Sequence, residues 1–193
     1  MIQANIDTKD WGLNLFKYRD YTPIPLIFLS FIVAKPNVIS ATLGTLLVIF
    51  GEFIRLYSVA FIGSISRTRK DSLGGKLVNT GPFKIVRNPL YVGNFFIVTG
   101  LSIYTSSASL VFLATALFCF QYYFIVQYEE SLLEKKFGSD YAQYLQDVPA
   151  WIPSKLPKLE EFEWPDSFTG AIKSERRTLT AIFAMIFILA FAI

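Results

Sequence analysis

Histidine is absent from this 193-residue chain, cysteine occurs once, methionine twice, and only 17% of the residues are charged. Without histidine there is no Ser-His-Asp triad, no His-ligated zinc and no imidazole general base. The single Cys119 lies in an apolar run, so neither a disulfide framework nor a cysteine metal site is available, and no metal is expected. Its thiol is expected to be buried filler, because a reactive thiolate needs a polar or cationic neighbourhood. Soluble domains carry roughly 25% charged residues, and this chain falls well short of that. The net charge of +3 is too small and too dispersed to point to nucleic acid. The first residues are polar and mixed in charge rather than basic and then apolar, so no signal peptide is expected there.

Hydrophobic residues make up 53% of the chain, with 19 Phe and 10 Tyr, and the mean hydropathy is +0.44. This composition predicts an integral membrane protein forming one domain over 1–193. A spanning helix needs about 20 mainly apolar residues. The runs 38–63, 90–104 and 108–127 are the principal candidates. A shorter run, 24–34, is expected to pair with the next helix as a tight hairpin through Lys35, Pro36 and Asn37. A last run covers 179–193. The fold class expected is all-α, a polytopic membrane protein of about five transmembrane helices. Of the 18 Lys and Arg residues, 16 fall in segments 1–20, 64–88 and 128–178. If all five runs span, those segments share one face, and the positive-inside rule places them and the N-terminus in the cytoplasm, with Lys35 opposite.

Three polar groups interrupt the apolar background. In the first, Leu77-Val78-Asn79-Thr80-Gly81-Pro82-Phe83 is followed by Arg87-Asn88-Pro89-Leu90-Tyr91-Val92-Gly93-Asn94. Gly81-Pro82 and Asn88-Pro89 form turns, and Pro89 suits the first turn of a helix. Backbone N–H groups at such a helix start are expected to await an acceptor. The second group is Glu129-Glu130, followed by Leu133, Phe137, Gly138, Tyr141 and Tyr144 on a helix expected to run on from 128 to 144. It reads either as a solvated helix face or as an anionic anchor for a cationic ligand. In the third group, Glu52 and Arg55 share one helical face within an apolar run. They either neutralise one another or form part of a substrate site, roughly 12 to 17 Å from the helix end at 1.5 Å per residue. Trp151 and Trp164 sit in a proline-punctuated stretch and read as interfacial anchors.

In this order the motifs resemble the isoprenylcysteine carboxyl methyltransferase and phospholipid methyltransferase superfamily. The carriers are Leu77-Val78, Gly81-Pro82-Phe83, Arg87-Asn88-Pro89-Leu90-Tyr91-Val92-Gly93, Glu129-Glu130-Ser131-Leu132-Leu133, Phe137-Gly138-Ser139-Asp140-Tyr141-Ala142-Gln143-Tyr144 and Val148-Pro149-Ala150-Trp151-Ile152-Pro153, over about 74–153. The resemblance implies S-adenosylmethionine as cofactor, bound on the cytoplasmic side by Gly75, Lys76, Leu77, Val78, Phe83, Asn88, Pro89, Leu90, Tyr91 and Glu129. Glu129 would pair with the cofactor ammonium, Phe83 and Tyr91 would face its adenine or sulfonium, and turn amides would receive its carboxylate. Arg87, Asn88 and Glu130 are the catalytic candidates, and Arg55 and Glu52 the substrate-side ones.

Two departures matter. The family histidine is Asn88 here, which can hydrogen-bond but not shuttle a proton, and Gly75 replaces a second one. A substrate-binding Arg of the prenylcysteine enzymes, one helical turn before the glutamate pair, is Ile125. The cofactor half of the pattern is retained and the prenylcysteine half weakened. The activity implied is methyl transfer to a lipophilic acceptor drawn from the bilayer: a prenylcysteine-like carboxylate, a phospholipid amine or another small lipid. A membrane NADPH-dependent reductase of the sterol reductase type and a non-catalytic membrane scaffold are the alternatives.

Overall fold

The computed structural model describes residues 6–63, 76–155, 158, 160 and 162–191, with side chains from residue 11 onward. Among the described residues there are seven α-helices and no strand: α1 (Ile6–Tyr18), α2 (Ile24–Val33), α3 (Val38–Ile62), α4 (Pro89–Tyr104), α5 (Ala108–Phe137), α6 (Ser139–Asp147) and α7 (Thr169–Ala190). A short 3-10 turn, Gly81–Lys84, precedes α4.

Local sequence sets the helix limits. Asn37 caps α3 in a reciprocal box with Ser40: Ser40 N–H donates to Asn37 Oδ1 and Asn37 N–H to Ser40 Oγ, each at 3.0 Å. Ser107 caps α5, accepting from Leu110 N–H. Pro89 occupies the first turn of α4, where its missing N–H costs nothing. The helix expected to run from 128 to 144 is broken. Gly138 adopts φ +54°, a conformation open chiefly to glycine, and it divides α5 from α6.

The principal interface is the antiparallel pair α3 and α4. A Cβ added at Gly44 would lie 2.6 Å from Gly100 O, and one at Gly51 would lie 2.6 Å from Gly93 O. Two glycines on each helix, seven residues apart, bring the backbones together. Membrane helices associate through such small residues because lipid provides no hydrophobic drive between them. Gly12 does the same between α1 and α5, where a Cβ would lie 2.7 Å from Tyr128 Cβ. The hairpin expected between the first two apolar runs is not the main contact: α2 leans on α5, while its loop is tied to the α4–α5 loop. Lys35 N–H donates to Thr105 O at 3.0 Å, and Asn37 Nδ2 donates to Ser106 Oγ at 3.0 Å.

Two helices, α3 and α5, are long and apolar enough to cross a membrane, and only 33% and 28% of their most apolar stretches are buried inside the fold. A soluble core helix would be mostly buried, whereas these carry outward-facing Phe53, Leu113, Phe112 and Phe120. At 10 and 16 residues, α2 and α4 fall short of the ~20 residues a perpendicular span requires. Among the described residues, the five-span expectation is therefore met in length and apolarity together by two of the five runs. Nor is the last run a helix beginning at residue 179. α7 starts ten residues earlier, so Lys173, Glu175, Arg176 and Arg177 belong to its first turns rather than to a loop. Cys119 corrects another expectation: it is exposed, because it lies on the outer face of α5, one position from the buried Phe118.

Candidate active site

The end of the bundle remote from Lys35 gathers most of the motif residues. Arg87 is the hub of its framework. Its Nε and Nη2 both reach Glu130 Oε1 at 2.9 Å, and its Nη1 donates to Val148 O at 2.5 Å and Leu145 O at 3.3 Å. These carbonyls close the C-terminal end of α6, where helices leave acceptors unmatched and favour a cation. Arg87 thus ties α4, α5 and α6 together, and Glu130 is its counter-ion. Behind it, Tyr141 and Tyr144 are buried with Val148, and Leu77 packs against them. Tyr144 Oη donates to Phe83 O at 2.5 Å, fixing the 3-10 turn. Burial, with the Glu130 carboxylate nearby, pushes both phenols well above the usual tyrosine range, so they remain neutral donors.

The turn before α4 is not the open set of donors that sequence implies. Arg87 N–H donates to Pro149 O at 2.8 Å and Asn88 N–H to Ala150 O at 3.3 Å, while Tyr91 N–H and Val92 N–H turn back to Asn88 O. Asn88 makes no side-chain cap; its Nδ2 donates to Ala150 O at 3.2 Å. The 149–150 backbone lies alongside and consumes these groups, which places Trp151 beside Tyr91, ring centres 6.4 Å apart. Farther along the turn, Glu163 accepts from Gly81 N–H at 2.8 Å and from Lys84 at 3.4 Å. The Gly81 amide and then the Lys84 ammonium hold this carboxyl below its ordinary value, against partial desolvation.

Glu129, adjacent to Glu130 in sequence, points another way. Its Oε2 accepts from Tyr91 Oη at 2.7 Å, and its Oε1 faces Arg19 Nη1 at 3.9 Å. Tyr91 in turn neighbours Tyr122, ring centres 4.7 Å apart, and Trp151 on the 149–151 segment, and Tyr122 stacks on Phe118 at 4.2 Å. A carboxylate beside several ring faces suits a ligand carrying both an ammonium and a sulfonium. Of the residues assigned to the cofactor, Tyr91 and Glu129 meet directly, Asn88 and Pro89 hold the base of α4, and Phe83 and Leu77 lie in the packing beneath. Leu90 and Val78 are half-buried, Lys76 is exposed, and Gly75 lies outside the described residues.

The third polar group is larger than its sequence spacing implies. Arg55 Nη2 donates to Glu175 Oε2 at 2.6 Å, its Nη1 donates to Asn94 Oδ1, and its Nε lies 3.6 Å from Glu52 Oε2. Asn94 Nδ2 donates in turn to Tyr122 Oη at 3.3 Å. α3 continues to Ile62, and Arg55 is not limited to Glu52. The early start of α7 delivers Glu175, 1% exposed, against α3. This guanidinium cross-links α3, α4 and α7. Ile125, at the position of the missing substrate arginine, is fully buried.

Arg19, Asn94, Tyr122, Trp151 and Glu175 were not picked out as site residues by sequence. Asn94 stands one turn from Tyr91 on α4 and Tyr122 two turns from Glu129 on α5, so helical spacing could have added both. Arg19 and Glu175 come from helices whose position only packing defines.

A family model for phospholipid methyltransferases matches residues 39–140, more than half of the chain, and the chain belongs to that family. Among curated proteins it is similar to the nickel-cobalt-cadmium resistance protein NccN of Alcaligenes xylosoxydans xylosoxydans, 31% identical over 138 residues, covering 72% of this chain and 59% of the relative. It is also similar to the cobalt-zinc-cadmium resistance protein CzcN of Cupriavidus metallidurans, 28% identical over 138 residues, covering 72% and 58%. The chain thus spans less than two thirds of the length of these relatives. No solved structure matches it.

Proposed function

We propose that this protein is an integral membrane methyltransferase that uses S-adenosylmethionine and acts on a lipophilic acceptor. The observation that carries the reading is the convergence of Glu129, Tyr91, Tyr122 and Trp151 within a chain of the phospholipid methyltransferase family. Bound there, the cofactor supplies an electrophilic methyl group on sulfur. Glu129 holds its ammonium, oriented by the Tyr91 hydroxyl, and the ring faces of Tyr91, Tyr122 and Trp151 favour the sulfonium. Arg87 and Glu130 keep this framework rigid, which suits a displacement that depends on alignment more than on proton transfer.

The acceptor enters sideways from the bilayer. All five apolar helices cross or enter the membrane, α2 and α4 as short elements, and the end carrying Arg87 and Glu129 lies in the cytoplasm. That orientation follows from the distribution of Lys and Arg. Calorimetric titration of the purified protein in detergent with S-adenosylmethionine, S-adenosylhomocysteine and NADPH tests the reading. Binding of the first two and transfer of labelled methyl into extracted lipids is expected. Binding of NADPH alone, or of none of the three, refutes it.

A further inference from the structure

The α4 turn cannot receive a cofactor carboxylate through the amides of residues 87, 88, 91 and 92, since all four already donate to backbone carbonyls. The amides of 81, 83, 85 and 86 are taken as well. A ligand with an α-amino acid head carries a carboxylate on the same carbon as its ammonium, so whatever receives the carboxylate must lie close to Glu129. One group does. Arg19, just past the end of α1, directs Nη1 to within 3.9 Å of Glu129 Oε1, too far for a hydrogen bond. That nitrogen is buried and has no hydrogen-bond partner.

Its placement is built. Gly12 lets α1 lie directly on α5 beside Phe124 and Tyr128. The guanidinium rests over the Phe16 ring, 4.1 Å from its centre, and Asp20 faces Nε at 3.9 Å. A buried guanidinium nitrogen without an acceptor is costly to maintain, and its planar fork matches a carboxylate.

We propose that Arg19 and Glu129 together read a zwitterionic α-amino acid head, Arg19 taking its carboxylate and Glu129 its ammonium, so that α1 completes the cofactor site. The proposal rests on the methyltransferase reading above and names the residue that accepts the methionyl carboxylate.

The test compares two ligands on the full chain in detergent: S-adenosylhomocysteine, which has the amino acid head, and 5′-methylthioadenosine, which lacks it. Arg19→Gln should weaken the first by about 10- to 100-fold and leave the second within about twofold, the range for losing a charge-assisted hydrogen bond. Arg19→Lys should restore part of the loss. Unchanged binding of S-adenosylhomocysteine by Arg19→Gln overturns the proposal. So does an equal loss for both ligands, which would make Arg19 only a support for α1. If the wild-type protein binds neither S-adenosylmethionine nor S-adenosylhomocysteine, the methyltransferase reading itself falls.

Discussion

Replacing Arg55 offers a direct measure of what holds α7 to the bundle. Its guanidinium sits between Glu175, hydrogen-bonded at 2.6 Å, and Glu52, at 3.6 Å, with side-chain exposures of 14%, 2% and 8% for Arg55, Glu175 and Glu52. Arg55→Leu leaves two buried carboxylates without the guanidinium, and breaking a buried ion pair in this way costs about 3–5 kcal/mol. Glu175→Leu removes one charge-assisted hydrogen bond but leaves Glu52 to balance Arg55, so about 1.5–3 kcal/mol is expected. The double variant Arg55→Leu/Glu175→Leu should cost less than the two single losses added, because neither buried charge of the pair then remains. Reversible unfolding in mixed micelles, followed by circular dichroism, gives each value. If the double variant is additive, the placement of α7 against α3 is wrong.

Glu129→Gln should weaken S-adenosylhomocysteine binding by about 1.5–3 kcal/mol, whereas Glu130→Gln should chiefly lower the unfolding midpoint by loosening the Arg87 clamp; calorimetry and thermal melts separate the two, and equal binding losses would contradict the split roles. The depressed Glu163 carboxyl contributes stability that is present above its ordinary value of 4.5 and is lost as pH falls through its lower folded value. Glu163→Gln should therefore lower stability near neutrality, alter little at acid pH where the carboxyl is already protonated, and so flatten the acid side of a stability-against-pH curve. For topology, the exposed Cys119 is first replaced by Ser. A cysteine at Lys35 should then react with an impermeant maleimide added outside intact cells, while one at Lys84 should not; the reverse pattern would overturn the assigned orientation.

Composition and hydropathy point to lipid around this chain, and outward-facing rings such as Phe53 and Phe112 agree with it. Residue order alone also carries the family, since the turn before Pro89 and the Glu129-Glu130 helix are local features with local signatures. The starts of α3 and α5 were legible for the same reason, since Asn37 and Ser107 act on their own turn of backbone; the break at Gly138 was not, because the apolar spacing continues across it.

What sequence did not determine was the partner of each charge. Adjacent glutamates separate by about 100° around a helix, yet only packing shows that Glu130 meets Arg87 from α4 while Glu129 meets Tyr91 and the α1 segment. Spacing paired Arg55 with Glu52, three residues away. The tertiary structure instead gives the shorter contact to Glu175, 120 positions along the chain. A buried charge is satisfied by whichever opposite charge the helices deliver to it, and that delivery depends on glycine contacts between distant segments, such as Gly51 with Gly93 and Gly12 with α5.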